Sequence, residues 1–477
     1  MSIEFLQKWK GLPSPRISDR IARPTGQGPG SFRRFGAAKE GSGADMPRYE
    51  QTAEDSEPRW EESDLDAVAG QVTAELLRRS HVMRPADLTG ALTQAARPLG
   101  VSAAQIYLVD LQQRQLAPLP DGAAQGADTL PVDSTLAGRA YQTLTIMSAP
   151  VRGGTGENYQ VWIPLVDGTE RLGVLSLTVA DASEAMLNRY RTLASLAAIM
   201  VMAKASYSDT YAQVQRSREM ALQAELVWAF LPPRTLATDR VLVSASLEPA
   251  YEAGGDAFDY ALLDGHLHVS IFDALGHDLS AGLLASVGIA SCRGTRRAGG
   301  SLADIAARAD HAIAGSFGED QFVTALLCDL DLGTGLLSWI PCGHPPPLLI
   351  RRRSVKELAR TARPPLGLAG VYARRGKRPH DTTVPASLCT ERLEPGDRLL
   401  LYTDGVTEGR APDGTPFGLE RLADFVIRHG STQLPAPETM RRLNHAILEY
   451  QSGRLRDDAT AVLIEWQPAQ PGHSLTP

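Results

Sequence analysis

Two hydrophobic periods alternate along this chain. Within residues 61–205, "LTGALTQAARPLG" sets Leu88, Leu92, Ala95, Ala96 and Leu99 at helical spacing. "AAQIYLVD" then reads as a strand ending in a loop, and "YQVWIPLVD" and "RLGVLSLTVA" as two further strands joined by the short turn "GTE". The apolar stretch 188–205 reads as a helix that closes the unit. The pattern predicts one α+β domain over 61–205.

Between this unit and the next, residues 206–231 carry a narrow apolar stripe. Leu222, Leu226 and Phe230 lie four apart, Met220 and Val227 seven apart, and Pro232 and Pro233 stop the run. The spacing predicts a connecting helix within 206–235. It either packs on its own domain or pairs with a second copy in a homodimer that carries signals between domains.

Over residues 236–467 strand patterns dominate: "VLVSASLEP", "HLHVSIFDA", "FVTALLCDLD", "LLSWIP", "PLLI", "DRLLLYTDG" and "ATAVLIEW". Helical stretches interrupt them at about 279–293 and 301–316. Strands with helices between them predict an α+β sandwich. Residues 1–60 are rich in Gly, Pro, Arg, Ser and Glu without apolar period and are expected to be disordered; 468–477 read as a tail.

Composition narrows the function classes. A chain of 477 residues suits two domains with connecting segments. A net charge of −7 argues against a nucleic-acid partner. The best apolar run, Leu193–Ala203, is well short of the ~20 residues that cross a bilayer, and "MSIEFLQKWKGLPSP" has no uninterrupted apolar core for a signal peptide. Cys292, Cys328, Cys342 and Cys389 form no C-x-x-C pair, which disfavours zinc and fits reduced, buried thiols in a cytoplasmic protein.

The informative residues are carboxylates at strand ends. "LHVSIFDALGHD" runs out at Asp273, "RLLLYTDGVTEG" at Asp404, and "RDDATAVLIEW" places Asp457 and Asp458 just before a strand; "AGGDAFDY" sets Asp256 after two glycines. One such aspartate is most simply a turn residue. In one domain, carboxylates from these separate places imply a cation between them, because converged like charges repel. All-oxygen ligation without Cys or His suits Mg2+ or Mn2+. Gly254 and Gly255 are then expected to let backbone approach closely at a site that holds bound water, which is compatible with a β-bulge or hairpin turn.

Taken in order, "AGGDAFDY", "FDALGHDLSAGLLAS", "FVTALLCDLDLGTGLLSWIPCGHPPPLLI", "LLLYTDGVTE" and "RDDATAVLI" resemble the metal-dependent (type-2C) serine/threonine protein phosphatases over roughly residues 222–467. The branch it resembles is that of the bacterial sporulation and stress-response phosphatases that control sigma-factor regulators. The resemblance implies an α-β-β-α sandwich, two bridged metal ions (Mn2+ or Mg2+), and hydrolysis of phosphoserine or phosphothreonine. It implies Asp256, Asp273, Asp404 and Asp457 as metal ligands and the carbonyl of Ala274 as a further one, with Asp458 a polar neighbour. The expected partner is a phosphoprotein, in this branch an anti-anti-sigma-type regulator. The chain departs from the family at Asp278, which adds a charge or caps the next helix, at Cys342, and at Ala257. "VWIPLVDGTERLGVLSLTV" gives residues 61–205 a resemblance to GAF domains, with a PAS-like sensor the nearest rival; an unknown signal at this domain would regulate the phosphatase.

No Ser-His-Asp or cysteine nucleophile is required by metal-activated water. His277 and His344 are the alternatives for a proton donor, each more simply structural, and Arg293, Arg456 and Arg351-Arg352-Arg353 are the candidates to grip phosphate. Two other readings compete. One is a catalytically inactive regulatory binding protein on the same fold. The other takes "GGD" as a cyclic-dinucleotide cyclase signature, for which "GGDAF" lacks the acidic continuation.

Overall fold

The computed structural model describes residues 62–468 except 121–126, 152–157, 169, 253, 319, 371–387, 431–434 and 454. The N-terminal segment 1–60 and almost all of the tail 468–477 lie outside the described residues.

Residues 62–205 combine helices with one sheet. Helices α1 (Glu62–Ser80) and α2 (Leu88–Ala96) precede strands β1 (Val101–Val109), β2 (Gln115–Pro118) and β3 (Leu130–Pro131). Helix α3 (Leu136–Thr143), strands β4 (Met147–Pro150), β5 (Tyr159–Val166) and β6 (Arg171–Val179), and helix α4 (Glu184–Ala205) follow. The six strands make an antiparallel sheet in the order β3-β2-β1-β6-β5-β4. The β5–β6 hairpin lies where "GTE" marks a turn. Leu76, Leu92, Tyr190, Leu193 and Val201 cover one face, against Ile106, Leu108, Ile163 and Leu175. Tyr141 of α3 packs on the other face with Tyr107 and Val174.

The connecting segment differs from the single helix expected over 206–235. It is two short helices, α5 (Asp209–Gln215) and α6 (Leu222–Phe230), with Arg216 and Ala221 in extended backbone between them. The next domain takes the backbone donors of the break: Ala221 N donates to the Tyr251 carbonyl (2.9 Å) and Ser217 N to the Tyr251 hydroxyl (3.0 Å). The apolar stripe is split with it. Leu222 is exposed, whereas Val227, Trp228 and Phe230 pack on the core of the second domain, as a helix lying on its own unit does.

That second domain has four layers. Strands β7 (Thr235–Ala237), β8 (Val241–Glu248), β13 (Leu348–Arg351), β14 (Ser354–Glu357), β16 (Arg398–Tyr402) and β17 (Ala459–Trp466) form one sheet, ordered β14-β13-β16-β17-β8-β7. Strands β9 (Asp256–Leu263), β10 (His266–Ala274), β11 (Val323–Asp331), β12 (Leu336–Cys342) and β15 (Cys389–Arg392) form the other, ordered β15-β12-β11-β10-β9. Alternate residues of both sheets meet in the middle: Val243, Leu401, Val462 and Ile464 against Phe258, Ile271, Leu326 and Trp339. Helices α7 (Leu279–Arg297) and α8 (Leu302–Phe317) cover Phe272, Ala325 and Leu327 on one outer face. The short helix α9 (Asp404–Glu408) follows β16, and α10 (Gly418–Gly430) and α11 (Ala436–Tyr450) cover Leu400, Ala461 and Leu463 on the other. Both α10 and α11 went unpredicted, although Leu422, Val426, Met440, Leu443 and Ile447 carry the helical period. All four cysteines are buried thiols outside any disulfide, as expected.

Buried charge joins the two domains. Arg171 of β6 donates to Gln113 Oε1 (2.9 Å) and to the Pro437 carbonyl (3.0 Å), and pairs with Glu438 of α11 at 3.4 Å. Arg441 reaches Glu438 (2.9 Å) and Asp133 (2.6 Å). Gln112, in the β1–β2 turn, donates to Glu248 at the end of β8 (3.2 Å). Arg171 and Arg441 are almost fully buried and Glu438 completely so.

Candidate metal centre

Antiparallel pairing of β9 with β10 places Asp256 directly opposite Asp273. They share the face of Phe258 and Ile271, so both carboxylates point between the two sheets, at one end of the sandwich core. The other sheet closes on them at the same end: Asp404 follows β16, and Asp457 and Asp458 precede β17. The Thr403 hydroxyl crosses between the sheets. It donates to Asp256 Oδ2 (2.7 Å) and accepts from Thr460 N (2.9 Å).

Electrostatics show that these aspartates act on one another. Burial raises the pKa of Asp256 well above the usual carboxylate range, and the charges of Asp273 and Asp458 raise it further. Burial likewise raises Asp273, with Asp404 and Asp457 adding to it. Glu408 of α9 is raised by burial and then by Asp404, which adds one carboxylate that sequence reasoning missed. Asp256 and Asp273 thus face each other across β9 and β10, and the charges of Asp404 and Asp457 act on Asp273.

Asp458 does something different. Its Oδ2 accepts from the backbone N–H groups of Gly254 (2.8 Å), Gly255 (2.7 Å) and Asp256 (3.2 Å). Three successive amides aimed at one oxygen form an anion-binding nest, and this chain fills it with its own carboxylate. Burial raises the pKa of Asp458 even so. Asp457, its neighbour, is exposed and accepts from Asp458 N (3.1 Å).

The glycine pair lets backbone approach closely, as expected. A Cβ on Gly255 would stand 2.5 Å from the Gly276 carbonyl oxygen and 3.0 Å from that of Ala274. The Ala274 carbonyl therefore lies hard against the Asp256 loop, where the resemblance puts a backbone ligand. Gly405 is similarly forced, since its Cβ would fall 1.9 Å from the Asp458 carbonyl oxygen.

The donor set fits a hard divalent cation: carboxylates and a backbone carbonyl, without thiolate or imidazole. Among the described residues no three Asp, Glu, His or Cys side chains stand ready-made as a metal-ligand group. What the structure pairs directly is Asp256 with Asp273.

His344 is not placed as a free proton donor. His277 is exposed in the turn before α7. His344 is buried with both nitrogens engaged, to Thr324 Oγ1 (2.8 Å) and the Tyr402 carbonyl (3.1 Å). Asp278 caps α7, accepting from Ala281 N (3.1 Å). Of the arginines, Arg293 is held by Asp259 (2.7 Å) and the Phe230 carbonyl (2.6 Å), and Arg351 by Asp397 (2.7 Å). Arg456 is exposed beside Asp457. Thr324, Thr403 and the amide-binding role of Asp458 were missed, because a hydroxyl or a second aspartate leaves no distinctive spacing.

Comparison with known proteins bears on residues 263–467, which match the family described as Stage II sporulation protein E (SpoIIE). The chain is 26% identical over 145 residues to Protein IcfG of Synechocystis sp., covering 30% of this chain and 20% of that protein. It is 25% identical over 181 residues to the phosphoserine phosphatase RsbP of Bacillus subtilis, covering 37% and 42%. The matches thus span less than half the length of either curated relative. Among solved structures, the RsbU and RsbW domains of Rv1364c from Mycobacterium tuberculosis are similar at 24% identity and a TM-score of 0.41, covering 49% of this chain and 64% of that one. No described helix is long and apolar enough to cross a membrane.

Proposed function

With residues 263–467 identified as a SpoIIE-type domain of the PPM phosphatases, in the branch that controls sigma-factor regulators, we propose that this protein hydrolyses phosphoserine or phosphothreonine on a protein partner. Asp256, Asp273, Asp404 and Asp457 and the Ala274 carbonyl would hold two divalent ions, Mn2+ or Mg2+. The observation that carries this reading is the Asp256–Asp273 pair at the end of the inter-sheet core, with Asp404 and Asp457 acting on it from the opposite sheet.

Ions bound there supply a water of lowered pKa and positive charge for the phosphoryl oxygens. The chain's own residues prepare the site. Thr403 orients Asp256 across the sheets, Asp458 clamps the backbone that carries it, and Asp278 anchors the turn from Ala274 into α7. The similarity to a phosphoserine phosphatase supports the bond cleaved, and an anti-anti-sigma-type phosphoprotein is the partner in keeping with the branch.

Residues 61–205 act in this reading as a GAF-like sensor of the cytoplasmic enzyme. The contacts between domains support regulation: Gln112 touches Glu248, six residues before Gly254, and Arg171 and Asp133 grip α11. The test is Asp404→Asn. Mn2+-dependent phosphate release from a phosphopeptide should disappear while the circular-dichroism spectrum stays that of the wild type. Undiminished release would remove the proposal.

A further inference from the structure

Thr324 has one hydroxyl proton and two acceptors within reach. It lies opposite Asp273 on β11, with Oγ1 3.4 Å from Asp273 Oδ2 and 2.8 Å from His344 Nδ1. The second imidazole nitrogen decides where the proton goes. His344 Nε2 stands 3.1 Å from the Tyr402 carbonyl oxygen, which can only accept, so Nε2 carries a hydrogen. The ring is 5% exposed, and burial pushes its pKa down to about 3, so it is neutral and Nδ1 is a bare acceptor. Thr324 then donates along the shorter contact, to His344.

We infer that His344 is a positioning residue for the metal centre: by taking the Thr324 proton it keeps that hydroxyl from donating to Asp273 Oδ2, whose lone pairs stay available to a divalent ion. This rests on the reading of Asp273 as a ligand. A hydroxyl proton on a carboxylate oxygen occupies one of its lone pairs, as Thr403 does on Asp256 Oδ2, and partners of ligands commonly set metal affinity. The chain Tyr402–His344–Thr324 also ties β16, two residues before Asp404, to the strand facing Asp273, so both sheets of the site share one buried connection. His344 thereby has a role that requires no proton transfer.

The test is Mn2+ binding by calorimetry on the metal-stripped full chain, as a double-mutant cycle. His344→Phe fills the space without an acceptor, frees the Thr324 proton and should weaken Mn2+ binding about 10-fold. Thr324→Val should leave binding within about twofold, and adding His344→Phe to it should cost no more than about twofold again. His344→Gln, which can accept from Thr324 and donate to Tyr402, should bind as the wild type does. Loss in His344→Phe that persists undiminished in the Thr324→Val background overturns the inference, as does a His344→Gln variant as weak as His344→Phe. A wild-type protein that binds no Mn2+ overturns the ligand assignment as well, which separates the two failures.

Discussion

Removing the Asp458 carboxylate should disconnect the loop that carries Asp256. Its Oδ2 receives three buried amides at 2.8, 2.7 and 3.2 Å, and the residue is 6% exposed. Hydrogen bonds to a charged group contribute ~1.5–3 kcal/mol each, and a buried amide left without a partner costs ~1–3 kcal/mol. The three share one oxygen and do not add fully. Relief of repulsion with Asp256 offsets part of the loss. For Asp458→Ala the expected destabilisation is therefore ~3–5 kcal/mol. Asp458→Asn keeps an acceptor oxygen and removes the repelling charge, so it should stay within ~1.5 kcal/mol of the wild type. Urea denaturation of the metal-free protein measures both. The Ala variant should also bind Mn2+ more weakly, because the backbone under Asp256 and beside Ala274 is no longer clamped. An Ala variant as stable as the Asn variant, with unchanged Mn2+ affinity, would refute the reasoning.

Glu438→Ala would leave Arg171 buried without its carboxylate and Arg441 with Asp133 alone, a change expected to cost ~3–5 kcal/mol in urea denaturation and to loosen residues 62–205 from α11; a loss below ~1 kcal/mol would show that this contact is dispensable. The raised pKa values of Asp256 and Asp273 make metal-free stability pH-dependent. Folded-state values above the unfolded ones mean that this contribution is fully present below the ordinary carboxylate pKa of 3.8 and is lost as pH rises through the raised values. Melting temperature in EDTA should fall over that range, while the gain on adding Mn2+ should grow with pH; a Mn2+ gain that is flat with pH would contradict the carboxylate assignment.

Much of this was legible in the chain because strands that end at an aspartate write both their period and their terminus in sequence. Period two in "LHVSIFDA" and "RLLLYTD" placed Asp273 and Asp404 at strand ends, and the four layers follow from such strands with amphipathic helices between them. What was not legible depends on contacts between distant segments. Tyr251 interrupts the connecting helix from the next domain, and no local propensity at Arg216 or Ala221 announces it. Gly254 and Gly255 advertise close approach but not what approaches, and it proved to be the carbonyls of the 274–277 turn. Asp457 and Asp458 are adjacent and chemically identical. Only the nest of amides distinguishes the clamp from the proposed ligand.

The account turns on whether these carboxylates hold divalent ions. A crystal grown with Mn2+ and measured at the manganese absorption edge decides it. Two anomalous peaks should lie between Asp256 and Asp273, with Asp404 and Asp457 as further ligands and the Ala274 carbonyl on one ion. Peaks elsewhere, or none at this end of the sandwich in Mn2+-saturated protein, would contradict it.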